Sequence, residues 1–299
     1  MLIQFGYRDV EFPGKQLGEL RASNELLNDM AALRERMDRD GYLLLRGLID
    51  RDKVLQARRT VLEYMAKHQA LTPDEPILEG VMPLGGKSVQ LMGFKGISHH
   101  PHVLAVLESD ELFTFFADYF GEPALTFKYK WLRGVGNEKY TGAHYDIVYM
   151  GRGSERLHTV WLPFADIPLE QGCLAMCVGS HNSPDFERLR QTYGRIDVDR
   201  DLLEGWFTKD PLEITEKFGG VWQTTNFYAG DIIFFGMYTM HASTTNTTNR
   251  FRLSCDIRFQ PASDPVDKRW GGDHPIGYIA GKPGIPLRTM DDARAEWGI

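Results

Sequence analysis

Hydrophobic residues in the first third of the chain recur at helical spacing, with one continuous apolar run among them. The spacing predicts helices over four segments: 24–40, a segment that begins after Asp50 or Asp52, 102–107 and 111–120. The apolar run YLLLRGLI, residues 42–49, predicts a buried strand. We therefore expect about the first 120 residues to form a mainly helical support layer.

From about residue 121 the pattern changes to short runs rich in β-branched and aromatic residues, separated by turn signals. Such runs predict strands at 126–135, 157–167, 173–178, 231–238 and 251–259, with 222–228 as a further candidate. Amphipathic helices do not alternate with these runs. The pattern therefore favours an antiparallel barrel or jelly roll over a parallel sheet.

The predicted organisation is a single domain over residues 1–299, mainly β with α. Its core, at about 121–262, is expected to be a double-stranded β-helix, the cupin-like jelly roll. Residues 184–219 interrupt the strands with charged, partly helical sequence, which indicates an insertion or lid. Residues 263–299 follow the last predicted strand as a C-terminal extension.

Charge and composition narrow the possible partners. The chain has 34 basic and 41 acidic residues, which gives a net charge of -7. It therefore lacks the excess of basic residues that would attract a phosphate-rich partner. We see neither a signal peptide nor a long apolar segment, and three cysteines suggest a reducing compartment. We therefore expect a cytoplasmic protein that acts on a small molecule and binds neither nucleic acid nor membrane. The oligomeric state stays open.

The local motif that carries chemistry is His144-Tyr145-Asp146. On a strand, residues two apart point to the same side, so His144 and Asp146 can approach one ion together. His241, after a distant apolar strand, is the candidate third ligand. Two histidines and one carboxylate on one face leave the opposite positions of the metal open, as in non-heme iron(II) oxygenases. Taken singly, each of these residues is more often a surface or structural group.

An arginine near the third candidate ligand strengthens this interpretation. Arg252 begins an apolar strand, and an arginine inside a barrel needs an anionic partner. The far end of a dicarboxylate would supply one in bidentate geometry. Arg250 is the nearest rival. The alternation through Leu253, Cys255 and Ile257, on the opposite side of the strand, favours Arg252.

Four ordered motifs resemble the phytanoyl-CoA dioxygenase family. They are DGYLLLRGLI at 40–49, His144-x-Asp146, the stretch 158–181, and GDIIFF…HAS…N…R…R over 230–252. The resemblance covers about residues 25–262. It implies a jelly-roll fold, ferrous iron, 2-oxoglutarate and molecular oxygen, and it leaves the substrate open.

The resemblance also implies roles for individual side chains around the metal. His144, Asp146 and His241 correspond to the iron ligands. Halogenating relatives replace the carboxylate with a small residue to make room for halide. Because Asp146 is present, hydroxylation is favoured over halogenation.

A second set of residues corresponds to contacts with the cosubstrate. Arg252 matches the arginine that holds the distal carboxylate of 2-oxoglutarate. Ser243 matches a serine that assists it, and Trp161 matches a tryptophan that walls the cosubstrate site. Lys87 or Gln90 corresponds, by a looser alignment, to an earlier polar contact.

The side chains that we expect to line the substrate pocket are Tyr145, Tyr149, Arg152 and Arg258. Arginines near the motif strands, with Arg156 among them, predict a small or medium-sized, partly anionic metabolite. Simple surface pairing of Arg152 and Arg156 with nearby acidic residues is an equally good interpretation.

The predicted reaction is hydroxylation of that metabolite, with succinate and carbon dioxide formed from 2-oxoglutarate. Two alternatives stay open at this point. A metal-dependent hydrolase could use the same ligands, but Arg252 would then lack a purpose. A non-catalytic barrel could bind metal and 2-oxoglutarate as a sensor.

Overall fold

The computed structural model describes residues 1–83, 89–280 and 282–299. The strands in these ranges are β1 (Leu2–Phe5), β2 (Arg8–Glu11), β3 (Leu17–Glu19), β4 (Tyr42–Leu45), β5 (Ala124–Thr126), β6 (Trp131–Val135), β7 (His158–Pro163), β8 (Leu174–Val178), β9 (Val221–Thr224), β10 (Ile232–Gly236), β11 (His241–Ser243) and β12 (Arg252–Pro261). The α-helices are α1 (Met30–Asp40), α2 (Arg51–Lys67), α3 (Pro101–Leu107), α4 (Asp110–Phe120), α5 (Ile147–Met150), α6 (Glu187–Gln191), α7 (Val198–Asp201), α8 (Pro211–Phe218) and α9 (Met290–Trp297).

Two open sheets form the core of the molecule. The larger sheet has the strand order β4-β10-β7-β12-β5, with β6 also paired to β12, and the smaller one has the order β11-β8-β9-β3. All of these pairs are antiparallel except β3 with β9. Buried side chains from both sheets, such as Trp161 and Trp222, belong to one hydrophobic core. This arrangement is the predicted jelly roll, with sheets that remain unclosed.

The larger sheet is buried on both faces because its alternate residues serve two different cores. Leu44 and Trp161 contribute to the core shared with the smaller sheet, whereas Leu43 and Val160 contribute to a core shared with α1–α4. Phe116 of α4 stacks on Phe259 of β12 with ring centroids 4.4 Å apart. The predicted helical support layer therefore packs on the outer face of the larger sheet.

Element boundaries differ from the sequence prediction where capping and turn residues intervene. The helix predicted over 24–40 begins at Met30, because the Asp29 carboxylate accepts a hydrogen bond from the Ala32 amide and caps it there. The strand predicted over 42–49 ends at Leu45. Beyond it, Gly47 takes a φ of +62° and donates its amide hydrogen to Asp231. The strands β1–β3 were not predicted.

The insertion and the C-terminal extension pack against each other. The insertion, 184–219, contains α6, α7 and α8, and the extension ends in α9. Arg294 of α9 lies over the ring of Phe207, 4.5 Å from its centroid, and pairs with Glu213. The two segments thus form one wall beside the sheets.

Among the helices that the structure describes, none combines the length and the apolar character needed to cross a bilayer.

Phe116 offers a test of the contact between helices and sheet. Its side chain is fully buried, so Phe116→Ala should lower the free energy of unfolding by about 3–5 kcal/mol, measured by urea denaturation. Leu2→Ala is the control, since Leu2 is 73% exposed and its truncation should change stability by about 0.5 kcal/mol or less. Equal effects of the two substitutions would contradict this description of the packing.

Candidate metal centre

The structure brings His144, Asp146 and His241 together in a buried cluster. Asp146 Oδ1 lies 3.5 Å from His144 Nε2 and 3.7 Å from His241 Nε2. The candidate ligand atoms all lie within 4.8 Å of one another. The arrangement therefore presents two imidazole nitrogens and one carboxylate oxygen to a common point, where a single metal ion could bind.

The reason for this proximity differs from the one that the sequence suggested. His144 forms an isolated antiparallel bridge with His241, whereas Asp146 lies in helical conformation (φ −72°, ψ −22°) at the start of α5. A turn, rather than the alternation of a regular strand, directs the carboxylate toward the histidines. The expectation that His144 and Asp146 approach one point holds, but its assumed strand geometry is wrong.

Backbone carbonyls fix the orientation of both imidazole rings. His144 Nδ1 lies 2.8 Å from the Gly142 carbonyl oxygen, and His241 Nδ1 lies 3.0 Å from that of Thr239. Each Nδ1 therefore carries the proton and donates it, which leaves Nε2 as the free lone pair facing the cluster. Burial, aided by the neighbouring His144, lowers the pKa of His241 to about 4. At neutral pH this ring is uncharged and able to bind a metal.

The second oxygen of the candidate carboxylate ligand is held by two side chains. Arg258 Nη2 donates to Asp146 Oδ2 at 3.1 Å, and the Thr159 hydroxyl donates to the same oxygen. Burial alone would raise the pKa of Asp146, but Arg258, together with His241 and His144, holds it well below its usual range. Oδ1 is thus left facing the histidines.

Arg258, predicted to line the substrate pocket, lines the cavity at the metal cluster, where its donors are held by protein groups. Its guanidinium lies over the ring of Trp131, 4.6 Å from the centroid, and its Nε contacts the sulfur of Met150 at 3.1 Å. The residue is only 3% exposed. It is therefore engaged with the candidate metal ligand and the surrounding wall.

A second buried arginine lies at the other end of the same strand face. Arg252 is 2% exposed, and its guanidinium carbon lies 5.7 Å from the ring centroid of Trp161. Its Nε is buried without a hydrogen-bond partner, and burial lowers its pKa to about 10. Arg250 is instead solvent-exposed and pairs with Glu79 at 2.7 Å. Of the two rival arginines, the structure therefore places Arg252 in the site.

A cavity of about 240 Å³ connects the metal cluster with Arg252. Trp161 and Ser243 line it, and the Ser243 hydroxyl accepts a hydrogen bond from the Thr141 amide at 2.9 Å. Tyr149 also lines it, with its ring 5.7 Å from that of His144. These three residues, predicted for the site, therefore line one cavity with the metal cluster.

Other predicted site residues lie elsewhere. The Tyr145 hydroxyl donates to the Ser180 carbonyl inside the hydrophobic core, so its ring does not line the cavity. Arg152 forms a two-pronged ion pair with Asp197, with nitrogen–oxygen distances of 2.5 and 2.7 Å. Gln90 is exposed and bonds to a nearby backbone carbonyl. Lys87 lies outside the described residues.

Further residues that the sequence pattern did not single out also line this cavity. They are Trp131, Arg133, Thr141, Met150, Thr159, Leu174, Trp206, Phe235, Asp256 and Tyr278. Strand alternation could have found Asp256, which lies on the same face of β12 as Arg252, and Thr159, on the same face of β7 as Trp161. Trp206 and Tyr278 come from the insertion and the extension, which no strand pattern reaches.

Comparisons with known proteins agree with this geometry. The sequence profile described as phytanoyl-CoA dioxygenase (PhyH) matches residues 37–254. A curated relative, 1-deoxypentalenic acid 11-beta-hydroxylase of Streptomyces exfoliatus, is 24% identical over 261 residues, which cover 80% of this chain and 83% of the relative.

Two solved structures with the same fold contain 2-oxoglutarate, also called alpha ketoglutarate. EctD from S. alaskensis, solved with 2-oxoglutarate and 5-hydroxyectoine, has a TM-score of 0.56 and 18% identity, and the match covers 92% of this chain and 94% of that one. The epimerase SnoN from nogalamycin biosynthesis, solved with Fe3+, alpha ketoglutarate and nogalamycin RO, has a TM-score of 0.52 and 20% identity, with 89% and 94% covered. At these identities the likeness shows the shared fold.

The hydroxyl of Thr159 can be tested without disturbing packing. Thr159→Val keeps the shape of the side chain but removes the hydrogen bond to Asp146 Oδ2. Loss of a group that supports a metal ligand typically weakens binding, so we expect about 10-fold or greater loss of affinity for Mn(II) in a titration of the apoprotein. Thr159→Ser, which keeps the hydroxyl, should stay close to the wild type. Wild-type affinity of the valine variant would show that this contact does not matter.

Proposed function

The chain belongs to the phytanoyl-CoA dioxygenase family, and we propose that it is an iron(II)- and 2-oxoglutarate-dependent dioxygenase. The proposed reaction decarboxylates 2-oxoglutarate to succinate and carbon dioxide, with one atom of molecular oxygen entering succinate and the other forming the hydroxyl of a small or medium-sized metabolite. The observation that carries the proposal is a buried arginine without a protein acceptor for its Nε, in one cavity with two histidines and a carboxylate that converge on one point.

The donor set fits iron(II). Two imidazole nitrogens and one carboxylate oxygen, from His144, His241 and Asp146, are the ligands typical of non-heme iron oxygenases, and thiolates are absent from the described cluster. Arg258 and Thr159 occupy Asp146 Oδ2, so the carboxylate would contribute one oxygen to the metal. The positions opposite the three side chains would then be available to cosubstrate and oxygen.

Arg252 fits the far carboxylate of 2-oxoglutarate. A buried guanidinium without a counterion is energetically costly, and a carboxylate that accepts from it in bidentate geometry removes that cost. Trp161 would wall the cosubstrate beside this arginine, and the Ser243 hydroxyl lies in the same cavity. The 2-oxoglutarate in the EctD structure supports the assignment, since that protein has the same fold.

Bound iron and 2-oxoglutarate would supply the oxidising chemistry when they react with molecular oxygen. The residues of this chain bind and orient. The histidines and Asp146 hold the metal, Arg252 sets the direction of the cosubstrate, and the aromatic walls exclude water. No side chain is needed as a general base. The name of the Streptomyces exfoliatus relative, a hydroxylase, supports hydroxylation as the outcome.

The predicted anionic character of the substrate needs a different basis from the one that the sequence suggested. Arg152 pairs with Asp197, and Arg156 pairs with Glu122 and Asp264 at the surface. These pairs leave no evident role for either arginine in substrate recognition. A partly anionic metabolite remains part of the proposal, and its recognition requires another cation.

Substitution of a candidate ligand tests the metal assignment. His241→Ala should abolish iron(II) binding and 2-oxoglutarate turnover, because the two ligands that remain are too few to hold the ion. Circular dichroism should show a retained fold, and calorimetric iron titration and succinate assays give the readouts. A folded His241→Ala protein that binds iron normally and turns over would refute the assignment. Succinate release by the wild type would exclude both a hydrolase and a non-catalytic sensor.

The two rival arginines provide a matched pair for the cosubstrate. Arg252→Ala leaves the far carboxylate of 2-oxoglutarate buried and unpaired, which costs about 2–5 kcal/mol. The Michaelis constant for 2-oxoglutarate should therefore rise roughly 30-fold to several thousand-fold. Arg250→Ala removes only an exposed pair with Glu79 and should have little effect. The opposite pattern would show that the cosubstrate lies elsewhere.

A further inference from the structure

Arg133 is a cation of the inner cavity that the sequence analysis did not identify. It lies on β6 opposite Ser254 of β12, two residue pairs along the β6–β12 ladder from Arg252. Its Nε donates to Asp256 Oδ2 at 2.8 Å. Its two terminal nitrogens have no hydrogen-bond partner among residues 1–83, 89–280 and 282–299. Arg133 itself lines the cavity that contains the metal cluster, and its side chain is 38% exposed.

The other arginines of this cavity have their donors committed or assigned. Arg258 bonds to Asp146, to the Ile257 carbonyl and to a methionine sulfur. Arg252 is assigned above to the far carboxylate of 2-oxoglutarate. Within the described part of the chain, Arg133 is therefore the remaining cavity-lining arginine whose two terminal guanidinium nitrogens can donate hydrogen bonds to a ligand. This fork matches the geometry of a carboxylate.

The charges of the cavity favour an additional anion. Three guanidiniums face two carboxylates, those of Asp146 and Asp256. Iron(II) and the dianionic 2-oxoglutarate would cancel each other's charge, so one positive charge would remain in excess. In a largely buried site such an excess attracts an anionic group.

We propose, resting on the function proposed above, that Arg133 binds a carboxylate at the mouth of the inner cavity. Two sources share this chemistry. One is a carboxylate of the primary substrate, and the other is the keto-acid end of 2-oxoglutarate next to the metal.

A substrate would reach Arg133 through a larger outer cavity. This cavity measures about 1140 Å³ and shares Tyr149, Trp206 and Tyr278 with the inner one. The inner cavity of about 240 Å³ is small for a cosubstrate and a substrate together, whereas the outer one is large enough for a medium-sized ligand. The body of the substrate would therefore lie between the insertion and the C-terminal extension.

The charge of the outer cavity limits which anion can enter. Five acidic side chains line it, against the basic Lys209 and Arg294. Its remaining wall is largely apolar and aromatic, with Phe207 and Met290 among the lining residues. Such a wall disfavours a polyanion such as a coenzyme A ester. It suits an alicyclic or aromatic body with one carboxylate that points inward to Arg133.

The pair of Arg133 with Asp256 determines the choice of variants. Arg133→Gln alone would leave Asp256 uncompensated, and the freed carboxylate could repel any anion. The double variant Arg133→Gln/Asp256→Asn removes both charges and keeps similar shapes. Asp256→Asn alone is the matched control, because it retains the arginine.

Two measurements on the full-length wild type and these variants decide between the sources. The first is calorimetric binding of 2-oxoglutarate to the Ni(II)-loaded proteins. The second is succinate formation by the iron-loaded proteins with alicyclic and aromatic monocarboxylic acids, each compared with its primary amide. We expect the double variant to lose roughly 30-fold or more either in affinity for 2-oxoglutarate or in succinate formation with the acids. Asp256→Asn should show neither loss.

A loss in 2-oxoglutarate affinity would assign the carboxylate to the cosubstrate. If the wild type turns over the acids better than their amides, and the double variant loses only the turnover of the acids, the carboxylate belongs to the substrate. If the double variant keeps the wild-type affinity for 2-oxoglutarate, and the wild type turns over the acids no better than their amides, the proposal for Arg133 is overturned. Failure of the wild type itself to bind 2-oxoglutarate would instead contradict the proposed function.

Discussion

His144 and His241 exchange two backbone hydrogen bonds, of 3.0 and 3.1 Å, and the rest of the candidate metal centre depends on this pairing. It places the segment before α5 beside β11, the edge strand of the smaller sheet. Both imidazole rings then point their Nε2 atoms into the space between the sheets, and the turn at Asp146 adds a carboxylate oxygen. Residues far apart in sequence thus meet because of main-chain geometry, with side-chain contacts adjusting the detail.

The charged groups around this point are neutralised to different degrees. Arg258 and Thr159 satisfy one oxygen of Asp146, and Arg133 satisfies Asp256. The buried Nε of Arg252 has no partner in the described chain, although an unpaired buried cation is costly. Incomplete neutralisation within an otherwise well-packed protein is what a binding site requires, since the ligand supplies the missing charge. The same reasoning extends, at the cavity mouth, to the terminal nitrogens of Arg133.

Alternation along the strands made it possible to predict from sequence which side chains of β12 face the site. The contrast between Arg252 and the opposite face of β12 follows from period two alone, whereas Trp161 was identified through the resemblance to a family. The triad needed the resemblance to a family, because His-x-Asp by itself is a weak pattern. Tyr145 was misplaced because it was assigned by its position next to the metal motif, whereas its hydroxyl donates to the Ser180 carbonyl inside the hydrophobic core. Arg258 was placed on the correct face, but its partner, a candidate ligand of the metal, depends on side-chain geometry that spacing does not encode.

Residues contributed by the insertion and the extension could not be predicted in the same way. Trp206 and Tyr278 line the cavity through the packing of two segments that lack strand periodicity, and that packing rests on contacts such as Arg294 with Phe207.

The fate of molecular oxygen tests the proposed chemistry most directly. The iron-loaded protein, incubated with 2-oxoglutarate under ¹⁸O-labelled oxygen, should release succinate in which mass spectrometry detects one labelled oxygen atom. Absence of succinate, even with a broad pool of metabolites added, or succinate without the label, would contradict an iron(II)- and 2-oxoglutarate-dependent dioxygenase.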